Sequence, residues 1–231
     1  GRFFAPAQVG FYNRAESFRM FPLNNISTVV SSVTFPLFSS IQNDDLRLRD
    51  VYKRIMQMVI FLVAPTLILM AVLAEPLFHF LFCERWLPAV PYFRILCISG
   101  ILCPIHLYNL QILNVKGRSD LFLRLEIIKK VLVIIVVFVA LHFGIYGLLY
   151  GSVISSVLGF FINTYYSGKF LNYTAWHQTK DLMPIIFLGL LVGIVVYFFD
   201  KFFMTDAKND IIRLISGGSV GILLFGALSF L

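Results

Sequence analysis

Five stretches of this chain, residues 55–74, 95–115, 145–168, 182–199 and 214–231, run for 18 residues or more without an Asp, Glu, Lys or Arg. A hydrocarbon layer about 30 Å thick is crossed by about 20 apolar residues in a helix rising 1.5 Å per residue. Runs of this length therefore read as membrane spans. Residues 131–143 are shorter and become long enough when the charged base 121–130 is added. A further segment, residues 9–39, is long enough and amphipathic. Only 13% of the chain is charged, against about 25% in a soluble domain. The expectation is an all-α polytopic transmembrane bundle of about seven spans. A membrane barrel would instead show alternating segments of about ten residues.

Segment 9–39 is polar along one side. At 100° per residue, Phe11, Ala15, Phe18, Ile26, Val29 and Val33 form an apolar stripe. The opposite arc holds Asn13, Arg14, Ser17, Asn24, Asn25, Ser27, Thr28, Ser31 and Ser32. Polar groups at membrane depth are costly unless they turn inward. This arc is thus expected to face an aqueous cavity within a transport bundle. Pro22 is expected to kink the segment and rotate the residues after it.

The net charge of +7 would suit nucleic acid, but the positions of the cations argue against that partner. If every candidate span crosses, Arg47, Arg49, Lys53, Arg54, Lys116, Arg118, Arg124, Lys129, Lys130, Lys169 and Lys180 fall on one side. Arg2, Arg85, Lys201 and Lys208 fall on the other. This asymmetry follows the positive-inside rule, placing the N-terminus outside and the C-terminus in the cytoplasm. Membrane lipids, with their anionic headgroups, are the expected contacts of the basic side. An outside N-terminus with no preceding span, and a chain opening Gly-Arg-Phe-Phe, lead to the expectation that this is the C-terminal part of a longer protein.

Along the chain, Glu75-Pro76 is expected to end the second span, with the aromatic stretch 78–88 at the outer interface. Pro88 and Pro91 are expected to delay the third span until Pro91 or Tyr92. Ser119 or Asp120 is expected to cap the fourth. Gly147, Gly151, Ser155 and Gly159, spaced by four, and Gly189 with Gly193, signal close helix packing. Cys83, Cys97 and Cys103 have neither disulfide nor metal spacing. HExxH, GxSxG, Walker-type and CxxC patterns are absent, so no catalytic residue, metal or cofactor is assigned and no enzyme is expected.

Six residues are candidates for binding. Arg14 has the guanidinium that suits bidentate recognition of phosphate or carboxylate, and snorkelling to headgroups is equally open to it. Asn24, Asn25 and Thr28 lie deeper on the same arc, fit to bond a sugar or a neighbouring helix. His106 lies with Ser99 on one face of the third span and Asn109 beside it, for proton relay, ligand contact or packing. Arg19 is expected to pair internally with Glu16, three residues away. Arg94 is expected to anchor at the outer interface.

Several motifs resemble the second half of Wzx-type bacterial polysaccharide repeat-unit flippases. They are Gly1-Arg2-Phe3-Phe4 with Val9-Gly10-Phe11-Tyr12-Asn13-Arg14-Ala15, Asn24-Asn25-Ile26-Ser27, Thr34-Phe35-Pro36-Leu37-Phe38-Ser39, Glu84-Arg85-Trp86-Leu87-Pro88-Ala89, and Lys116-Gly117-Arg118-Ser119-Asp120 with Lys129-Lys130. That family shares a superfamily with MATE drug exporters and the lipid II flippase. The resemblance implies the C-terminal part of a MATE-like two-bundle transporter, working by alternating access. Residues 1–168 would be second-bundle helices, and 169–231 two additional C-terminal helices. It further implies a missing N-terminal bundle as partner, other polysaccharide-assembly proteins as associates, and residence in the bacterial inner membrane. The implied substrate is an undecaprenyl-diphosphate-linked oligosaccharide, as in O-antigen, lipopolysaccharide or capsule export. Arg14 would then meet the diphosphate. The rival readings are a cation-coupled drug exporter of the same superfamily, a membrane-bound polysaccharide polymerase or glycosyltransferase, and a passive scaffold.

Overall fold

The computed structural model describes residues 4–203 and 210–229, and among them there is no strand. Helix α1 spans Pro6–Ser40 and α2 Asp45–Val72. A short α3, Ala74–Phe82, and a 3-10 turn, Glu84–Ala89, lead into α4, Val90–Ile101, and α5, Cys103–Val115. Then come α6, Ser119–Leu141, α7, Gly144–Leu171, α8, Ala175–Phe203, and α9, Asp210–Ser229. The expected all-α polytopic bundle is the one that forms. Among the described residues, five segments are long and apolar enough to cross a membrane: α2, the continuous stretch Glu84–Val115, α7, α8 and α9. Helices α1 and α6 have the length but carry the polar arc and the Arg124–Lys130 charges.

Side chains at the helix ends sort into two layers, as alternating spans require. At one end Lys116 reaches both Asp45 and the Gln42 carbonyl, and Lys53 meets Asp181 at 2.9 Å. At the other, Phe11 packs edge-on against Trp86, Arg94 reaches Glu75 at 3.4 Å, and Arg213 grips Asp200. Arg94 also bonds the Ala71 carbonyl.

Four local expectations are corrected. Glu75-Pro76 does not end α2. The helix stops at Leu73, and Pro76 lies in the first turn of α3, because its missing N–H falls on Val72, four residues back. The third span, expected as one helix, breaks at Leu102, where Pro104 has no N–H to return to Gly100. Neither Ser119 nor Asp120 caps α6: Arg118 occupies the cap position, and the Asp120 carboxylate takes both arms of its guanidinium at 2.9 Å. Finally, Val29 and Val33 are not in the apolar seam but 69% and 67% exposed. The buried line of α1 runs through Ala15, Leu23, Thr34 and Phe38. Steps of four overshoot a 3.6-residue turn, so the seam drifts around the helix and carries Val29 and Val33 outward.

Small residues set the packing distances. A Cβ on Gly193 would come within 2.6 Å of Ile68 of α2, and one on Gly221 within 2.5 Å of Leu69. Where the neighbour is backbone, no rotamer change relieves the clash. A Cβ at Gly147 would lie 2.3 Å from the Ala140 carbonyl oxygen, and one at Gly168 2.7 Å from that of Tyr173. Gly147→Ala and Gly168→Ala are each expected to destabilise by about 1–3 kcal/mol. Gly218→Ala, with nothing within 4 Å, is expected to be neutral or slightly stabilising through helix propensity. Thermal unfolding in detergent separates the two groups.

Helix α3 is tied to α9 by His79, whose Nδ1 meets the Asp210 carboxylate while Nε2 lies 3.6 Å from Glu84. The hydrogen bond donated to Asp210, then the charge of that carboxylate, raise the imidazole pKa above its ordinary value. A raised folded-state pKa makes the contribution fully present below the unfolded pKa of about 6.5 and loses it as pH rises through the folded value. Melting of the wild type is therefore expected to fall more between pH 6 and pH 8.5 than that of His79→Gln.

Candidate functional site

The polar arc of α1 faces away from the bundle. Helix α1 packs on α2, α4 and α5 through its buried seam, leaving Asn13, Arg14, Ser17, Asn24, Asn25, Thr28 and Ser32 exposed. A helix of 35 residues is about 52 Å long, so Arg14 lies about 15 Å along the axis from Asn24. The arc is therefore a strip with a cationic end and an amide-and-hydroxyl end.

Arg14 is held without an acid. Its guanidinium carbon stands 4.7 Å from the ring centre of Phe82 and 4.8 Å from that of Trp86. Among the described residues it forms no ion pair. Cation–π contacts use the faces of the rings and the plane of the guanidinium, and leave the N–H edge free for an anion. The sequence placed residues 78–88 at the interface and gave no sign that two of those aromatics would hold Arg14. The chain fold that brings the end of α3 over the first turns of α1 is what joins them. Lower on the strip, Asn25 donates to the Phe21 carbonyl at 2.9 Å. The side chains of Asn24 and Thr28 make no hydrogen bond among the described residues.

Arg19 turns the other way. It pairs with Glu16 at 2.5 Å, as expected, and also donates to Ser99 Oγ at 2.8 Å and the Leu96 carbonyl at 3.3 Å of α4.

His106 and Asn109 are not on the exposed strip. His106 lies between α5 and α7, its Nε2 3.3 Å from Ser156 Oγ and its Nδ1 3.2 Å from Asn163 Nδ2. Asn109 is fully buried. Its Oδ1 accepts from Tyr52, at 2.8 Å, and from Ser167, and its Nδ2 donates to Thr164 at 3.3 Å. From Thr164 the chain of bonds runs through Gln178 to the Tyr173 carbonyl, and the Tyr173 hydroxyl donates to Asp181 at 2.6 Å. With both amide groups engaged and no exposed surface, Asn109 ties α2, α5 and α7 together rather than meeting a ligand. A straight-helix projection cannot tell the two uses apart, because His106 and Asn109 share a face whichever neighbour covers it.

Proteins similar to this chain in sequence and in fold point to one class. Residues 1–91 match the family described as polysaccharide biosynthesis protein. The chain is 26% identical over 230 residues to an uncharacterized membrane protein in the cps region of Klebsiella pneumoniae, covering 93% of this chain and 45% of that one. It is 24% identical over 196 residues to the lipopolysaccharide biosynthesis protein WzxC of Escherichia coli (strain K12), covering 81% and 40%. The chain thus spans less than half the length of these relatives. In structure it resembles the lipid II flippase MurJ in an inward closed conformation, with a TM-score of 0.78 at 16% identity, over 96% of this chain and 46% of that one. The fold is that of an all-α polytopic helical bundle. The resemblance to Wzx-type polysaccharide flippases, read from the motifs, agrees with these likenesses.

The buried network makes a specific demand. Asn109→Leu removes the acceptor of the buried Tyr52 hydroxyl and one bond each from Ser167 and Thr164, and is expected to lower stability by about 1–3 kcal/mol. Arg14→Ala, at an exposed site, is expected to leave the melting temperature within a degree or two. Parallel melting curves of the two variants check both.

Proposed function

We propose that the protein carrying this chain flips undecaprenyl-diphosphate-linked oligosaccharides across the bacterial inner membrane by alternating access, for polysaccharide, O-antigen or capsule export. The observation that carries the reading is Arg14, an unpaired guanidinium held over Phe82 and Trp86 at the head of an exposed polar strip. A diphosphate needs cationic donors with a free edge, and Arg14 supplies one. Asn24, Asn25 and Thr28, about 15–21 Å further along α1, supply amides and a hydroxyl for the sugars beyond the diphosphate. The strip is closed by the N-terminal bundle of the complete protein. Other polysaccharide-assembly proteins hand over or receive the cargo.

In this reading the helix ends bearing Arg47, Arg49, Lys53 and Arg54 are cytoplasmic, and Trp86 and Arg94 lie at the outer face. An inside-negative potential favours outward movement of the anionic headgroup by about 2.3 kcal/mol per charge per 100 mV, where the charge crosses the full field. Transport here is non-enzymatic. The drug-exporter alternative requires an acid free to take a cation. Glu16, the acid within α1, is instead neutralised by Arg19 at 2.5 Å.

The test is flipping of a fluorescent undecaprenyl-diphosphate oligosaccharide by the complete protein in proteoliposomes, beside its Arg14→Ala variant. Flipping by the wild type and its loss with Arg14 are the expected results. Retained flipping in the variant would return Arg14 to headgroup anchoring. No flipping by folded wild type under any imposed ion gradient, together with drug resistance lost in Glu16→Gln, would shift the assignment to a drug exporter.

A further inference from the structure

Behind α1, on the side away from the exposed strip, lies a second polar region. A cavity of about 300 Å³ opens between α4, α5, α6 and α7, lined by Ser99, His106, Lys129, Ser152, Ser155 and Ser156, with Arg19 at its rim. Its polar groups sit deep in their helices: Lys129 is ten residues into α6, about 15 Å from the helix start. The cavity also straddles the break in the third span, with Ser99 before Leu102 and Cys103 and His106 after it. In membrane transporters, ligand sites near mid-depth are characteristically built at interrupted helices.

The chemistry of the lining excludes most occupants. Arg19 is neutralised by Glu16, and Lys129 by Glu126, so the two cations and two carboxylates balance and the cavity holds no surplus charge for an anion or a cation. What remains is a set of hydroxyls with lone pairs to offer. Ser152 donates to the Leu149 carbonyl, Ser156 to that of Ser99, and Ser99 to that of Leu96. Each thereby commits its proton to backbone; Ser152 keeps its oxygen unengaged, while Ser99 already accepts from Arg19 and Ser156 lies 3.3 Å from His106 Nε2, each with a second lone pair to offer. The Ser155 hydroxyl has no partner among the described residues. Lys129 Nζ makes one hydrogen bond, to Glu126, leaving protons to give. Leu132, Val133 and Ile162 supply an apolar wall. Acceptors around the rim, a donor at one end and an apolar wall match the edge and face of a pyranose ring.

We propose that this cavity is a binding subsite for one neutral sugar ring of the transported saccharide, separate from the diphosphate-binding end at Arg14. The proposal deepens the flippase reading and rests on it. The exposed strip would hold the charged linkage while the cavity selects among glycans by ring shape and hydroxyl pattern. Ser155 is the specificity-determining position, since its side chain lines the cavity and its hydroxyl has no partner among the described residues.

The experiment is saturation-transfer difference NMR of the complete protein in detergent, with methyl hexopyranosides as the probe. A signal is expected with the wild type and with Arg14→Ala. Ser155→Phe, which fills the cavity, is expected to weaken binding at least about tenfold with melting unchanged. Should Ser155→Phe fail to fold, Ser155→Val keeps the volume and removes the oxygen, and is expected to weaken binding in the same direction. An equal signal in wild type and a folded cavity variant places the sugar elsewhere and overturns the proposal. So does the absence of any signal from the wild type, or displacement of the sugar by inorganic phosphate. Lipid flipping without sugar binding sinks the cavity alone. Sugar binding without flipping sinks the flippase reading and leaves the cavity standing.

Discussion

The architecture around the exposed strip depends on where Arg19 points. A guanidinium well inside a membrane helix is costly unless its charge is paired, and Arg19, 12% exposed, is met from two sides through its terminal nitrogens, its Nε alone left without a partner. Glu16 on its own helix balances the charge, and Ser99 Oγ with the Leu96 carbonyl of α4 takes the remaining reach. That clasp fixes the rotation of α1 about its axis. Once Arg19 faces α4, Arg14 is swung outward, because five residues at 100° per residue place it about 140° away around the helix. Asn24, Asn25 and Thr28 are likewise exposed, and the polar strip and the polar cavity become opposite sides of one helix.

A second constraint comes from buried amides and hydroxyls in α2, α5, α7 and α8. The run from Tyr52 through Asn109, Thr164 and Gln178 toward Tyr173 and Asp181 crosses three helix interfaces without exposure at its core. Hydrogen bonds between membrane helices contribute modestly one at a time. Their stronger effect is on uniqueness: sliding any one helix would strand several polar groups at once in a setting without water. The glycines facing Ile68, Leu69 and Leu73 act in the same direction, since close backbone approach permits only one register.

The span pattern was legible because charge-free runs and basic connectors are long signals that no local detail overturns. The features that escaped were set by single residues or by tertiary contact. Pro104 sits in an apolar run whose composition gives no warning that the helix is broken at Leu102. The seam of α1 drifts, so a straight projection misplaced Val29 and Val33 while placing Ala15 correctly. Pairing of Arg19 with Glu16 was readable from spacing, whereas its grip on Ser99 required knowing that α4 lies alongside. The aromatic cradle of Arg14 joins residues about seventy positions apart, and periodicity carries no information at that range. Lys129 was counted with the topogenic charges of a connector, and its place beside His106 in a cavity comes from α6 starting ten residues earlier, at Ser119.

That last misplacement bears on how a bundle of this kind handles a ligand with one charged and one neutral part. A single cationic cleft would hold the diphosphate strongly and leave the glycan unread, since surplus charge rewards any anion. Separating the functions puts the uncompensated guanidinium of Arg14 on the exposed strip and balanced ion pairs in the cavity behind it. Charge at the strip contributes attraction that the membrane potential can oppose or assist. In the proposed subsite, paired charges and hydroxyls would contribute discrimination, because a buried donor or acceptor left unmatched by the wrong ring costs more than a matched one contributes. Helix α1 carries Arg14 on the strip and Arg19 at the cavity, and the clasp of Arg19 on α4 fixes the rotation that keeps the two apart.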